Sequence, residues 1–216
     1  MNLFRPSSIK YGLILAMFLP FGAEAKPVFR TSAPVAYMFD LSSGSVLYSR
    51  GEKRRIAPAS MAKMMTAYII FDQLAKESLT LDRKFTVSPE IWEKWNNRGS
   101  TMFLREKEQV SVENLLQGLI TLSANDAAIT LAHGIAGSEK EFVARMNATA
   151  QKLGMRESHF ATANGWPDGG KTKVTARDLA ILARHTIEDF PLLYHKFYGA
   201  RNFTWNGIRQ PDRNPL

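Results

Sequence analysis

Ala57-Pro58-Ala59-Ser60-Met61-Ala62-Lys63-Met64-Met65-Thr66-Ala67 is the stretch on which the fold turns. From Ser60 to Ala75 the chain contains no glycine and, after Pro58, no proline. Met61, Met64, Met65, Tyr68, Ile69 and Leu74 recur at helical spacing. A helix this apolar belongs inside a domain rather than on its surface. Ser60 and Lys63 stand three apart at its first turn, so both lie on one face and the amine can reach the hydroxyl. A serine hydroxyl is a weak nucleophile until a neighbour takes its proton. A lysine can do so only when uncharged, and burial in an apolar helix pushes it toward that state. The helix N-terminus adds partial positive charge where an oxyanion would form. The blander account of the same four residues is a helix cap followed by an exposed lysine.

Sixty residues after the lysine comes Ser123-Ala124-Asn125, a polar break between two apolar segments. A second serine can relay a proton to a leaving group, and a nearby amide can bind a peptide backbone. Alternatively Ser123 or Asn125 simply caps the next helix.

Outward from these two points the chain reads as follows. Residues 35–40 and 45–49 are β-prone and flank the turn-rich Leu41-Ser42-Ser43-Gly44, which predicts an opening hairpin. Ser88-Pro89-Glu90 starts a helix, with serine as cap and proline in the first turn. Further helices are expected over 111–122, over 126–134, from Ser138 to about Leu153, and from Thr175 to about Ile187. Phe203-Thr204-Trp205-Asn206-Gly207 is β-prone, and a strand there lacks a partner before the terminus. Hairpin, helices, then more β predicts an α+β domain: an antiparallel sheet built from both ends of the chain, with a helical block inserted.

The first residues stand apart. Arg5 and Lys10 precede an apolar run from Tyr11 to Gly22, too short to span a bilayer comfortably, and Ala23-Glu24-Ala25 offers a cleavage site. Residues 1–25 are therefore expected to be a signal peptide, with the domain over 26–216. The alternative is an uncleaved anchor. The absence of cysteine excludes a disulfide framework, a thiolate metal site and a cysteine nucleophile. His133, His159, His185 and His195 show no metal spacing, so no metal and no cofactor is expected. The net charge is +8. Without residues 1–25, which hold Arg5, Lys10 and Glu24, 26 positive and 19 negative groups leave +7. An exported chain with scattered basic residues is a poor nucleic-acid binder, and none is expected as a partner.

The two motifs and their surroundings resemble low-molecular-mass penicillin-binding proteins, the D-alanyl-D-alanine carboxypeptidases of serine peptidase family S11. Residues 57–67 look like that family's S-x-x-K region and Ser123-Ala124-Asn125-Asp126-Ala127-Ala128 like its S-x-N region. Asn164-Gly165, Thr175 to Ala180 and Phe203 to Leu216 extend the likeness over 33–216. The resemblance implies a β-lactamase/transpeptidase-like α/β sandwich. It implies Ser60 as nucleophile, Lys63 as general base, Ser123 as proton relay and Asn125 as the residue that binds substrate backbone. It further implies a peptidoglycan stem peptide as substrate, β-lactams as covalent inhibitors, and a periplasmic or envelope location. The family's third motif, K-T-G, is missing up to Leu216. Lys171-Thr172-Lys173 is not a substitute, because lysine replaces glycine and a helix follows. The expectation is a sheet left incomplete by an early end, and peripheral inner-membrane association only through a segment beyond Leu216. A β-lactamase on the same fold and an inactive cell-wall-binding domain are the alternatives.

Overall fold

Helix α1 (Lys63–Ala75) is buried around most of its circumference: Lys63 through Phe71 are inaccessible apart from Met64. The computed structural model describes residues 29–213. The chain divides into the units Met1–Arg30 and Thr31–Leu216, and only the second is treated below. The expected signal peptide lies outside the described residues.

Around α1 stand α3 (Val112–Thr121), α4 (Asn125–Ala136), α5 (Glu139–Lys152) and α6 (Ala176–Asp189). Phe71, Phe142, Phe160 and Leu116 fill the space between them and are fully buried. Each such side chain contributes about 1.5–3 kcal/mol on leaving water. The caps explain where the helices start. Ser111, Ser138 and Thr175 accept from the backbone amides of Asn114, Glu141 and Asp178 at 3.3, 3.2 and 3.1 Å. Ser88 caps the short α2 (Pro89–Trp95) in the same way. The sequence does not announce α7 (Pro191–Tyr198), which at eight residues is too short for its apolar period to stand out. It nonetheless buries Phe197 against Phe71, with ring centroids 5.8 Å apart.

The strands form three separate antiparallel pairs. They are β1 (Ala36–Phe39) with β2 (Val46–Arg50), β3 (Lys84–Thr86) with β4 (Gln109–Ser111), and β5 (Asn202–Trp205) with β6 (Ile208–Pro211). Among the described residues the first and last pairs do not share a ladder, so the two ends of the chain supply strands without closing one sheet. The β5 strand does have a partner. Asn206 and Gly207, taken above as part of the strand, are its turn, with φ of +47° and +79°. Two successive left-handed residues match the twist of a tight hairpin, and Asn-Gly is the dipeptide that adopts them. No described helix is long and apolar enough to cross a membrane.

Candidate active site

Ser60 does not lie in an α-helical turn. A 3₁₀ turn, Ala59–Ala62, precedes α1 and runs straight into it. Three residues per turn place positions i and i+3 directly over one another. Lys63 Nζ accordingly sits 3.1 Å from Ser60 Oγ. It also donates to the backbone oxygen of Asn164 at 3.0 Å. Lys63 is 5% exposed whereas Ser60 is open to solvent. The exposed-lysine account of this spacing is thereby excluded, and no side chain caps the turn.

Burial pushes the Lys63 ammonium down to about 8, and the carboxylate of Asp126 opposes that shift in part. At pH 7 about a tenth of the molecules then hold this amine uncharged. Asp126 was not singled out from sequence. It is buried at the start of α4, which raises its own pKa, and it accepts from the amides of Met102, Leu104 and Ala127. Its carboxylate thus ties the 101–104 loop to the helix that follows Ser-Ala-Asn.

The turn before Ser60 is strained. Ala59 has φ +49°, a left-handed value that costs a side-chain-bearing residue. Gly165 packs against it so closely that a Cβ at 165 would stand 1.8 Å from the Ala59 carbonyl oxygen. Thr66 Oγ1 donates to Ala163 O at 2.6 Å from the neighbouring turn of α1. The 163–165 strip therefore braces both the serine turn and the lysine. Of this strip the sequence singles out Asn164-Gly165, as part of the family likeness and of a Gly- and Pro-rich loop at the rim of the site. A main-chain carbonyl carries no residue signature; the glycine was the one available signal.

Ser123 has φ +57° and a buried hydroxyl with no hydrogen-bond partner among the described residues. Neither it nor Asn125 caps α4: the cap position is Ala124, and no side chain bonds there. Ser60, Lys63 and Ser123 line one cavity of about 420 Å³. Its remaining wall is mostly apolar, including Met61, Met64, Leu119 and Tyr198, with Arg213 as its further charged group. Met61, expected in the core, is 45% exposed at this wall. Asn125 is not part of that lining. It is 4% exposed, and its amide donates to Arg98 O at 3.2 Å. Lys171-Thr172-Lys173 is engaged elsewhere: Thr172 bonds Asp168, and Lys173 pairs with His159 through the backbone.

A nucleophile, a partly uncharged amine and a second hydroxyl along one cleft can carry out acyl transfer. Comparison with known proteins points the same way. The D-alanyl-D-alanine carboxypeptidase DacD of Escherichia coli (strain K12) is 39% identical over 182 residues, covering 83% of this chain and 46% of that protein. Penicillin-binding protein 5 from Haemophilus influenzae superposes with a TM-score of 0.81 at 35% identity, over 85% of this chain and 53% of that one. Penicillin-binding protein D2 from Listeria monocytogenes, solved in a cefotaxime-bound form, superposes with a TM-score of 0.75 at 27% identity, over 88% of this chain and 76% of that one. The chain thus spans about half the length of the curated relatives it matches. The peptidase S11 profile, described as D-alanyl-D-alanine carboxypeptidase, matches residues 22–216, and the chain belongs to that family.

Proposed function

We propose that the chain is a serine-type D-alanyl-D-alanine carboxypeptidase acting through an acyl-enzyme on Ser60. Lys63 takes the proton from Ser60 Oγ as that oxygen attacks the carbonyl carbon of the penultimate D-alanine. The tetrahedral oxyanion forms at the start of the turn that leads into α1, where the helix dipole favours negative charge. Collapse of the intermediate breaks the peptide bond. Ser123 passes a proton to the departing amine of the terminal D-alanine, and water then hydrolyses the ester on Ser60. Asn125 holds the substrate backbone. The substrate is a peptidoglycan stem peptide, and export to the cell envelope places the enzyme beside it. β-Lactams would acylate the same serine, as the cefotaxime-bound relative suggests.

The observation that carries this reading is the 3.1 Å approach of Lys63 to Ser60, with burial lowering the amine to about 8. Incubation of the chain with a fluorescent penicillin, followed by intact mass measurement, tests it. The expected result is one stable adduct per chain, absent in Ser60→Ala. Rapid turnover of the penicillin would point to a β-lactamase instead. No adduct on the wild-type chain would contradict the acyl-enzyme.

A further inference from the structure

Two loops meet beside Asn125 in an arrangement that acyl transfer does not call for. The first, residues 96–100, follows α2 and turns through left-handed Asn97 and Gly99. It is bonded to Asn125 twice: the Asn125 side chain donates to Arg98 O, and the Asn125 amide donates to Ser100 O at 2.7 Å. The second loop carries Trp166, two residues beyond the carbonyl that holds Lys63.

Trp95 and Trp166 meet edge to face at 5.4 Å. The Arg98 guanidinium lies against both, 5.8 Å from the Trp95 ring centre and 5.1 Å from that of Trp166. The contact is close: a Cβ on Gly99 would stand 2.9 Å from the Trp166 ring and 3.0 Å from the Asn125 amide nitrogen. Lys94 adds a second cation, 5.4 Å from the Trp95 ring centre. Arg98 is nevertheless exposed, and among the described residues no carboxylate forms an ion pair with it.

A guanidinium drawn onto aromatic faces keeps N–H groups available for another partner. Those groups match a carboxylate with two parallel hydrogen bonds. A side chain already held by aromatic contacts loses less freedom when the anion arrives. We propose that Arg98 is a specificity residue that binds a free carboxylate on the acyl side of the substrate peptide. This rests on the reading of Asn125 as the holder of substrate backbone. A peptide bonded at Asn125 passes next to the residue whose own carbonyl Asn125 grips. Extended chain advances about 3.4 Å per residue. A carboxylate one or two residues upstream of the scissile dipeptide therefore falls within reach of an arginine side chain. An acidic stem peptide is favoured over its amidated form.

Calorimetric titration of the full chain tests this with two peptides ending in D-alanyl-D-alanine. One carries a free carboxylate two residues upstream of that dipeptide, and the other has the same carboxylate amidated. The free acid is expected to bind roughly tenfold more tightly. Arg98→Gln should erase the difference, and Arg98→Lys should restore part of it. Equal affinity of acid and amide for the wild-type chain would overturn the inference without recourse to any variant. So would a preference that survives in Arg98→Gln, or no saturable binding of the free acid. Penicillin labelling of the wild-type chain in parallel separates the two claims. Preference without labelling retires the acyl-enzyme and keeps the Arg98 site; labelling without preference does the reverse.

Discussion

The helical block and the opening hairpin differ in how thoroughly each is covered. In the block, Phe71, Leu116, Phe142 and Phe160 are withdrawn from solvent to 2% or less. In the hairpin, Val46 and Leu47 are 54% and 58% exposed, and no residue of β1 or β2 is fully buried. Lys63, Ala163 and Asn164 belong to the covered region, and Ser60 stands at its solvent edge. What depends on exclusion of water, above all an uncharged lysine, is built where packing is deepest. The hairpin contributes little to that environment beyond its packing on α6.

That contrast can be broken in four places. The largest effect is expected at Lys63→Met, which removes the proton acceptor and leaves a similar volume. Penicillin acylation should fall about 10³-fold. The same variant should be more stable than wild type at neutral pH. The folded pKa of about 8 lies below the ordinary 10.5, so the unfolded chain holds the proton more tightly between those values. The burial cost is fully present below about pH 8, fades between there and 10.5, and is gone above 10.5. Lys63→Met should therefore gain about 1–3 kcal/mol in denaturant melts at pH 7, shrinking toward pH 10. A variant destabilised at pH 7 would show that the lysine costs nothing where it sits.

Phe71→Ala comes next, with an expected loss of about 3–5 kcal/mol in the same melts. A loss under 1 kcal/mol would mean the block is far looser than its burial indicates. At Gly165→Ala the added methyl meets the Ala59 carbonyl, and a loss of about 1–3 kcal/mol is expected. Labelling of Ser60 should slow together with it; unchanged labelling would remove the brace from the account. Smallest is Leu47→Ser on the hairpin, expected to stay within about 0.5 kcal/mol of wild type. A large loss there would erase the distinction between the two regions.

The same contrast decides what the sequence disclosed. The apolar spacing of 61–74 announced α1, and Ser and Thr at helix starts announced most of the others, because both signals are local. The Ser60–Lys63 approach was legible from a separation of three. Its refinement into a 3₁₀ turn was not, since that depends on Gly165 pressing on Ala59 from 106 residues away in the chain. The Asn164 carbonyl was invisible for a different reason: every residue has one. Asp126 stood next to the S-x-N motif, but nothing local marks a carboxylate whose partners are amides at 102 and 104. The β5–β6 hairpin was the avoidable miss. Asn206-Gly207 is a turn dipeptide in plain view, absorbed into the strand it ends.

Direct titration of the Lys63 amine is the closest test of the arrangement. Proteins labelled with ¹³C at lysine Cε, wild type and Lys63→Met, can be followed by NMR from pH 6 to 11. One resonance should titrate near pH 8 and be missing from the variant. If every lysine, including Lys63, titrates near 10.5, the amine is not desolvated and cannot serve Ser60 as described.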